Sequence, residues 1–153
     1  MSRFAYVNGN YLDFKKSLVH IEDRGYQFAD GVYEVFNVSD SRLVDYDLHI
    51  KRLYRSLGEL KIKSPIAKST FIYHIRNIIK KNIITDGLIY LQITRGVAPR
   101  DHKFPSKIKS SIVITGRHAS ADQYEIKFKK GINVTTYDDI RWGRCDIKTV
   151  SLL

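Results

Sequence analysis

The fold of this 153-residue chain is constrained most strongly by a change in the spacing of its apolar residues. Apolar side chains form strand-like runs near the N-terminus, recur at helical spacing in two central segments, and then return to strand-like runs. A chain that places hairpins first, helices next and further strands last is typical of the α+β class. No repeat, low-complexity tract or linker interrupts this order, so the residues by themselves indicate one domain.

Two β-hairpins are predicted in the first third of the chain. Asn8-Gly9-Asn10 supplies the positive φ angles of a tight turn, and Ser39-Asp40-Ser41 provides a second polar turn. Because side chains alternate along a strand, Tyr33 lies on the face opposite Glu34 in the strand before the second turn. The strands of the two hairpins are predicted at residues 4–7, 11–14, 31–38 and 42–46.

Two amphipathic helices follow, and Asp47 is positioned to cap the first of them. The second helix follows Pro65 and is predicted to end near Asn82. The apolar stripes consist of Ile50, Leu53, Leu57 and Leu60 in the first helix and Phe71, Ile72, Ile75, Ile78 and Ile79 in the second. Three further strands are predicted at residues 88–94, 111–115 and 132–137.

The charge of the chain favours anionic partners without identifying one. There are 26 Lys and Arg against 16 Asp and Glu, a formal net charge of +10. Fifteen lysines and nineteen isoleucines indicate a bias toward AT-rich codons, and the basic residues are scattered along the chain. Since no Lys/Arg run is long enough for a nucleic-acid-binding tail, we expect no specific nucleic-acid partner.

Cysteine usage and hydropathy indicate the cellular compartment of the protein. Cys145 is the single cysteine, so the sequence offers neither a disulfide framework nor a metal-ligand spacing. The first residues lack the apolar core of a signal peptide, and no apolar run approaches the ~20 residues that a membrane span needs. We therefore expect a cytoplasmic protein without a metal site or a membrane partner.

A proline-rich loop is the first candidate for chemistry. Pro99, Pro105 and one glycine stiffen residues 95–105, so Arg100 and His102 are candidates to donate hydrogen bonds to a carboxylate. The residues alone equally fit a solvated basic loop, which is the more common case. The phenol of Tyr33 is a candidate donor to the same anion, although most strand tyrosines simply pack.

Arg52 and Lys148 are the other two candidates. Arg52 fits a phosphate ligand or a surface residue of the first helix. Lys148 lies in an apolar stretch just after Arg141 and Arg144, and burial together with neighbouring cations is what turns a lysine into a carbonyl nucleophile. In a chain with fifteen lysines, this context by itself is only suggestive.

Four segments of the chain resemble D-amino-acid (D-alanine) aminotransferases. These are pyridoxal-phosphate enzymes of aminotransferase class IV, a family whose fold is shared by branched-chain aminotransferases and aminodeoxychorismate lyases. Gly is more usual in the family at the position of Ala29. The segments are Glu22 to Val35, His49 to Tyr54, Thr94-Arg95-Gly96 with Pro99 to Pro105, and Asp139 to Lys148, in the family's order and at closely similar spacing.

The resemblance implies roles for the same five candidate residues. Lys148 is implied as the lysine that forms the Schiff base with pyridoxal phosphate, and Arg52 as a ligand of the cofactor's phosphate. Tyr33, Arg100 and His102 are implied as the trap for the substrate carboxylate, with the arginine and histidine contributed by the second subunit of a homodimer. The implied reaction converts D-alanine and 2-oxoglutarate to pyruvate and D-glutamate, so the partners are a D-amino acid and a 2-oxo acid.

The resemblance also implies an organisation of the chain. Residues 1–118 correspond to the small α+β domain of the family, an antiparallel sheet with two helices, and residues 119–153 to a connection and the first strand of the cofactor domain. The family's chain continues well beyond the Schiff-base lysine, whereas this one ends five residues after Lys148. We therefore expect an N-terminal fragment that is inactive alone.

Three alternatives to this interpretation stay open on the sequence. The chain is compatible with another member of class IV, either a branched-chain aminotransferase or an aminodeoxychorismate lyase. It is also compatible with a non-enzymatic remnant that merely folds. The third alternative is a basic nucleic-acid-binding module, which a flat basic face with stacked aromatic side chains would support.

Overall fold

A six-stranded antiparallel sheet and two long helices make up the computed structural model, which describes residues 3–119, 125 and 128–151. The sheet has the strand order β2-β1-β6-β5-β3-β4. The strands are β1 (Phe4–Val7), β2 (Asn10–Asp13), β3 (Gly31–Ser39), β4 (Arg42–Leu43), β5 (Gly87–Thr94) and β6 (Ser111–His118). The helices are α1 (Arg24–Phe28), α2 (Tyr46–Glu59) and α3 (Phe71–Lys81), with short 3-10 turns at Phe14–Lys16 and Lys68–Thr70.

The hydrophobic core lies between one face of the sheet and the apolar stripes of α2 and α3. The predicted stripes are confirmed at their centres, where Leu53 and Ile75 are fully buried. Phe36 of β3 is also fully buried, whereas its neighbour Val35 is only half-buried, so the predicted alternation along β3 is confirmed. The α+β class and the antiparallel sheet are therefore as expected, and no helix in the described part of the chain has the length and apolarity of a membrane span.

Both predicted hairpins form, and the second strand of the second hairpin is shorter than expected. The second hairpin turns at Asp40 and Ser41, which have φ of 50° and 59°, and β4 contains only Arg42 and Leu43 because α2 begins at Tyr46. The predicted cap of α2 is wrong by two residues. Asp45 is the N-cap and makes no side-chain cap bond, while Asp47 lies in the first turn, where its charge complements the helix dipole.

The predicted strand at residues 132–137 is absent from the structure. Ile132, Val134 and Tyr137 are 73%, 85% and 85% exposed, and the segment has no regular structure. A β-prone sequence becomes a strand only where a neighbouring strand pairs with it and one face is buried. The accessible edge of β3 is taken instead by residues around Thr149, so this segment has no partner among the described residues.

Ala29 ends α1 in a conformation that suits glycine better. Its φ of 52° and ψ of 28° are left-handed, which strains an alanine because of its Cβ. We expect Ala29→Gly to raise the free energy of unfolding by about 0.5–1 kcal/mol, measured by urea denaturation. The matched control is Ala67→Gly at an exposed position with φ of −65°, which should be slightly destabilising. A loss of stability in Ala29→Gly would show that this strain is not present in solution.

Candidate functional site

Lys148 is brought to Tyr33 by pairing along the accessible edge of β3. Tyr33 N donates a hydrogen bond of 3.1 Å to Lys148 O, and Thr149 forms an antiparallel bridge with Val32. The hydroxyl of Thr149 donates to the carbonyl of Gly31 at 2.9 Å. The Lys148 side chain lies over the Tyr33 ring, with Nζ 4.1 Å from the ring centroid. This backbone pairing holds the Lys148 backbone beside Tyr33, from where its side chain reaches the ring face.

The surroundings of Lys148 combine a buried backbone with a partly accessible amine. Ile147 and Thr149, on either side of it, are each 3% exposed, while Lys148 itself is half-buried. Its backbone N–H donates to Ser56 Oγ of α2 at 3.2 Å. Within the described ranges, Nζ forms no ion pair with a carboxylate. The amine is therefore held against an aromatic ring and stays available for chemistry.

An ion-pair network ties the turn before Lys148 to α2. Arg55 Nη1 donates to the carbonyl of Asp146 at 2.7 Å, and Arg55 Nη2 pairs with the Asp146 carboxylate. Arg144 bonds Asp146 at 3.0 Å and Glu59 at 2.8 Å. Arg144, one of the two cations expected from the sequence to act on Lys148, thus docks the preceding turn instead, and the other, Arg141, pairs with Asp139.

The pKa of Asp146 gives a test of this docking. Hydrogen bonds first from Arg144 and then from Arg55 lower the pKa of the Asp146 carboxyl to about 2. We expect Arg144→Gln to raise that pKa toward the ordinary value of about 3.9, and Arg55→Gln to raise it less. Because the pKa of Asp146 is lower in the folded state, its ionised carboxylate stabilises the fold above pH ~4. This stabilisation is lost as the pH falls toward ~2.

An NMR titration of the Asp146 carboxyl carbon measures this change directly. Asp139 provides the matched control, because Arg141 lowers its pKa to about 2 by contacts that neither variant removes. An Asp146 pKa that stays near 2 in both variants would contradict the docking of this turn onto α2.

Arg52 is clamped by a buried carboxylate. Its Nε donates to Glu34 Oε1 at 2.7 Å and its Nη2 donates to Glu34 Oε2 at 2.6 Å, and this bidentate pair raises the pKa of Arg52. His49 Nδ1 approaches the same Oε2 at 2.7 Å. The Glu34 side chain is fully buried, whereas the Arg52 side chain is 46% exposed. The guanidinium is therefore held in one orientation with its outer edge open to a ligand.

Glu34 is a functional candidate that sequence reasoning missed. The alternation in β3 placed it on the core-facing side, and a charged residue among Val32 and Phe36 on that side was the signal of a buried partner. Glu34 and Arg52 lie on the core-facing side of β3, whereas Tyr33, the preceding residue, lies on the opposite side with the Lys148 amine over its ring. Tyr33 is near enough to Arg52 to contribute to its raised pKa. Three of the five predicted site residues thus lie around the same part of β3.

Arg100 and His102 form a separate group in an exposed loop. Both rest on Phe28, with the Arg100 guanidinium carbon 4.5 Å from the ring centroid and the His102 ring 5.5 Å away, edge to face. Tyr33 stacks instead on Tyr90 at 5.7 Å and carries Lys148 on its ring. Within one chain, the structure does not bring Arg100 and His102 to Tyr33.

Eight basic side chains in the described part of the chain are paired with carboxylates on several different elements. Pairing neutralises charge that phosphates would need. The paired cations are Arg24, Arg42, Arg52, Arg55, Arg95, Lys129, Arg141 and Arg144. This distribution argues against the nucleic-acid alternative.

Comparison with known proteins places the site in a family context. Residues 31–153 match the sequence profile of the family described as amino-transferase class IV. The chain is 38% identical over 149 residues to a D-alanine aminotransferase of Staphylococcus haemolyticus, covering 97% of this chain and 52% of that protein. It is also 38% identical to a D-alanine aminotransferase of Listeria monocytogenes serotype 4b, covering 96% of this chain and 51% of the relative. The chain thus spans about half the length of the curated relatives it matches.

Solved structures show the same fold at low sequence identity. The branched-chain amino acid aminotransferase of Escherichia coli superposes with a TM-score of 0.73 at 18% identity, over 79% of this chain and 41% of that one. The 4-amino-4-deoxychorismate lyase of Pseudomonas aeruginosa superposes with a TM-score of 0.63 at 20% identity, over 76% and 40% of the two chains. These likenesses concern the fold alone.

Proposed function

Because the chain belongs to the class IV aminotransferase family, we propose that it serves pyridoxal-phosphate-dependent transamination of D-amino acids. The proposed reaction converts D-alanine and 2-oxoglutarate to pyruvate and D-glutamate in the cytoplasm. The observation that carries the proposal is the position of the Lys148 amine over Tyr33, the residue next in β3 to the Glu34 that holds the Arg52 guanidinium. The similarity to D-alanine aminotransferases at 38% identity favours D-alanine as the substrate. The branched-chain aminotransferase that shares the fold is more distant, at 18% identity.

The residues present fit pyridoxal phosphate in three respects. Lys148 offers an amine that forms no ion pair with the described carboxylates, Tyr33 an aromatic wall, and Arg52 a fixed guanidinium edge for a phosphate. When bound, pyridoxal phosphate supplies the electron sink that stabilises negative charge at the substrate α-carbon. The pairing of the Lys148 backbone with β3 sets the point from which its side chain extends over Tyr33.

Each residue then has a defined task in the proposed reaction. Lys148 Nζ acts as general base for the α-proton of the amino acid and later returns a proton as general acid. Tyr33 orients the Lys148 amine through its ring face and presents its hydroxyl to the substrate carboxylate. Arg52 binds the cofactor's phosphate through its exposed edge, while Glu34 prevents the guanidinium from swinging into solvent.

Arg100 and His102 complete the proposed site from a second copy of the chain. Within one chain they rest on Phe28 rather than at Tyr33. In a homodimer, this loop would lie against β3 of the partner. The Arg100 and His102 side chains would then lie opposite the partner's Tyr33 hydroxyl as hydrogen-bond donors. The substrate carboxylate would then be held by three side chains, and the proposed reaction depends on dimer formation.

The proposal is tested by comparing two arginine substitutions. In a full-length protein of the family that contains this segment, Arg100→Ala should lower kcat/KM for D-alanine by about one to two powers of ten, because a charged hydrogen bond to a carboxylate is lost. Its affinity for pyridoxal phosphate should not change. Arg52→Ala should do the reverse and weaken cofactor binding first, measured by fluorescence titration. Steady-state kinetics on D-alanine and on an L-branched-chain amino acid completes the comparison.

The proposal fails if the two substitutions do not separate in this way. Unchanged D-alanine kinetics in Arg100→Ala would make the loop structural. A preference of the unaltered protein for the L-branched-chain substrate would place the protein in the branched-chain branch of the family. Lys51→Ala is the matched control, because Lys51 is an exposed cation of the same helix, directly before Arg52.

A further inference from the structure

The neck of the loop that carries Arg100 and His102 contains a buried ion cluster centred on Asp30. Arg24 Nε donates to Asp30 Oδ2 at 2.8 Å, and Arg95 donates to the same carboxylate through Nε at 2.7 Å and Nη2 at 2.9 Å. Arg24 is 3% exposed and Arg95 is 6% exposed. One carboxylate therefore balances two desolvated guanidinium groups, and both of its oxygens are used.

Each arginine also contacts the backbone of a different part of the chain. Arg95 donates to the carbonyls of Lys61 at 3.1 Å and Leu60 at 2.9 Å, just beyond the end of α2. Arg24 Nη1 donates to the carbonyl of Asp101 at 2.7 Å. Asp101 lies between Arg100 and His102, so the cluster reaches the peptide that connects the two proposed substrate contacts.

The tip of the loop has few other attachments. Arg100, His102, Lys103 and Phe104 are exposed. In the described part of the chain, the hydrogen bonds that reach residues 99–104 from outside the loop all come from Arg24. The Arg24 guanidinium also lies 4.6 Å from the centroid of Phe28, the ring on which Arg100 and His102 rest. The hydrogen bonds that hold the loop tip thus come from Arg24, while Phe104 also packs on the Arg95 guanidinium, 4.1 Å from its ring centroid. Asp30 holds both arginines.

We propose that Asp30 is a positioning residue for Arg100 and His102, acting through Arg24 and the Asp101 carbonyl. Its identity as a determinant of substrate binding rests on the proposed function, in which those two side chains bind the carboxylate of a D-amino acid. Removing the Asp30 charge leaves two buried guanidinium groups without a counter-charge, and Arg24 is then free to turn toward solvent. The loop tip loses its tether while the sheet and the α2–α3 core keep their contacts.

The test is Asp30→Asn in the full chain, read by NMR without cofactor or substrate. In the unaltered protein, ring protons of Phe28 and His102 should show a nuclear Overhauser effect, because the rings are 5.5 Å apart. The stacked rings of Tyr6 and His74, 4.2 Å apart, report on the core in the same spectrum. Asp30→Asn should abolish the first signal and keep the second. Asp40→Asn, which removes an exposed carboxylate paired with Arg42, should keep both.

Proteolysis gives the size of the effect. Loss of a charged hydrogen bond should raise the rate of trypsin cleavage after Lys103 by about tenfold or more in Asp30→Asn relative to Asp40→Asn. A Phe28–His102 signal and a cleavage rate that both stay at their unaltered values would overturn the proposal.

If Asp30→Asn does not fold, the milder variant Arg24→Lys tests the same proposal. Arg24→Lys keeps a positive charge beside Asp30 but cannot bond the carboxylate and the Asp101 carbonyl with separate nitrogens. Loss of the Phe28–His102 signal with an intact Tyr6–His74 signal would support the proposal, and retention of both would overturn it. Neither readout involves pyridoxal phosphate or an amino acid, so failure of this proposal is distinguishable from failure of the proposed function.

Discussion

In a full-length protein of the family that contains this segment, replacing Lys148 by alanine is expected to lower the rate of D-alanine transamination by at least about a thousandfold, because one amine serves as both cofactor attachment and proton carrier. The fold should survive, since the backbone of Lys148, and not its side chain, pairs with Tyr33 and Ser56. Pyruvate release from D-alanine and 2-oxoglutarate measures the effect, and far-UV circular dichroism checks the fold. Lys51→Ala is the matched control, because Lys51 is an exposed lysine of α2.

An equal loss of activity in Lys51→Ala would mean that charge in general, and not the Lys148 amine, matters for the reaction. Retention of activity in Lys148→Ala would show that the amine over Tyr33 is a structural contact only. The position of Lys148 on the sheet edge would then have no catalytic meaning.

Gly96→Ala should destabilise the fold by about 2–5 kcal/mol, the combined cost of backbone strain and of overpacking. Gly96 has φ of +112°, a conformation that L side chains rarely adopt, and an added Cβ would overlap the carbonyl oxygen of Lys109. The substitution therefore separates the two ends of the loop that carries Arg100 and His102. Urea denaturation measures the loss as a lower midpoint.

Gly58→Ala is a control of opposite sign for this prediction. Gly58 lies in α2, and an added Cβ there meets nothing within 4 Å. Alanine is the better helix former, so this variant should gain up to about 1 kcal/mol of unfolding free energy. Equal stability of Gly96→Ala and the unaltered protein would contradict the close approach at the neck of the loop.

Much of the fold could be predicted from the spacing of apolar residues. The apolar stripes of α2 and α3 and the alternation in β3 could be predicted because each element buries one side. The spacing of apolar residues along an element shows which side that is. The five-residue helix α1 was missed, because its stability depends on tertiary contacts and not on a periodic face. The strand predicted at residues 132–137 from local β-propensity is wrong, because a strand needs a partner and the spacing of residues does not reveal one.

The candidate site could likewise be predicted only in part. Arginines could be recognised from the sequence as donors, and a lysine in an apolar stretch as a candidate amine. The structure places Lys148 over Tyr33 and Arg52 on the adjacent Glu34. Their roles toward cofactor and substrate stay predictions. Glu34 and Asp30 were not recognised as site residues, because a buried carboxylate is identified by its partners, and those partners lie on other elements.

The most direct test of the account is where pyridoxal phosphate attaches to the chain. The protein is incubated with pyridoxal phosphate, reduced with borohydride and mapped by peptide mass spectrometry, with Lys148→Ala treated in parallel. We predict that the pyridoxyl group lies on Lys148 in excess over each of the other fourteen lysines, and that this modification disappears in the variant. A modification spread evenly over the exposed lysines, and unchanged in total by Lys148→Ala, would contradict the assignment of Lys148 as the cofactor-binding amine.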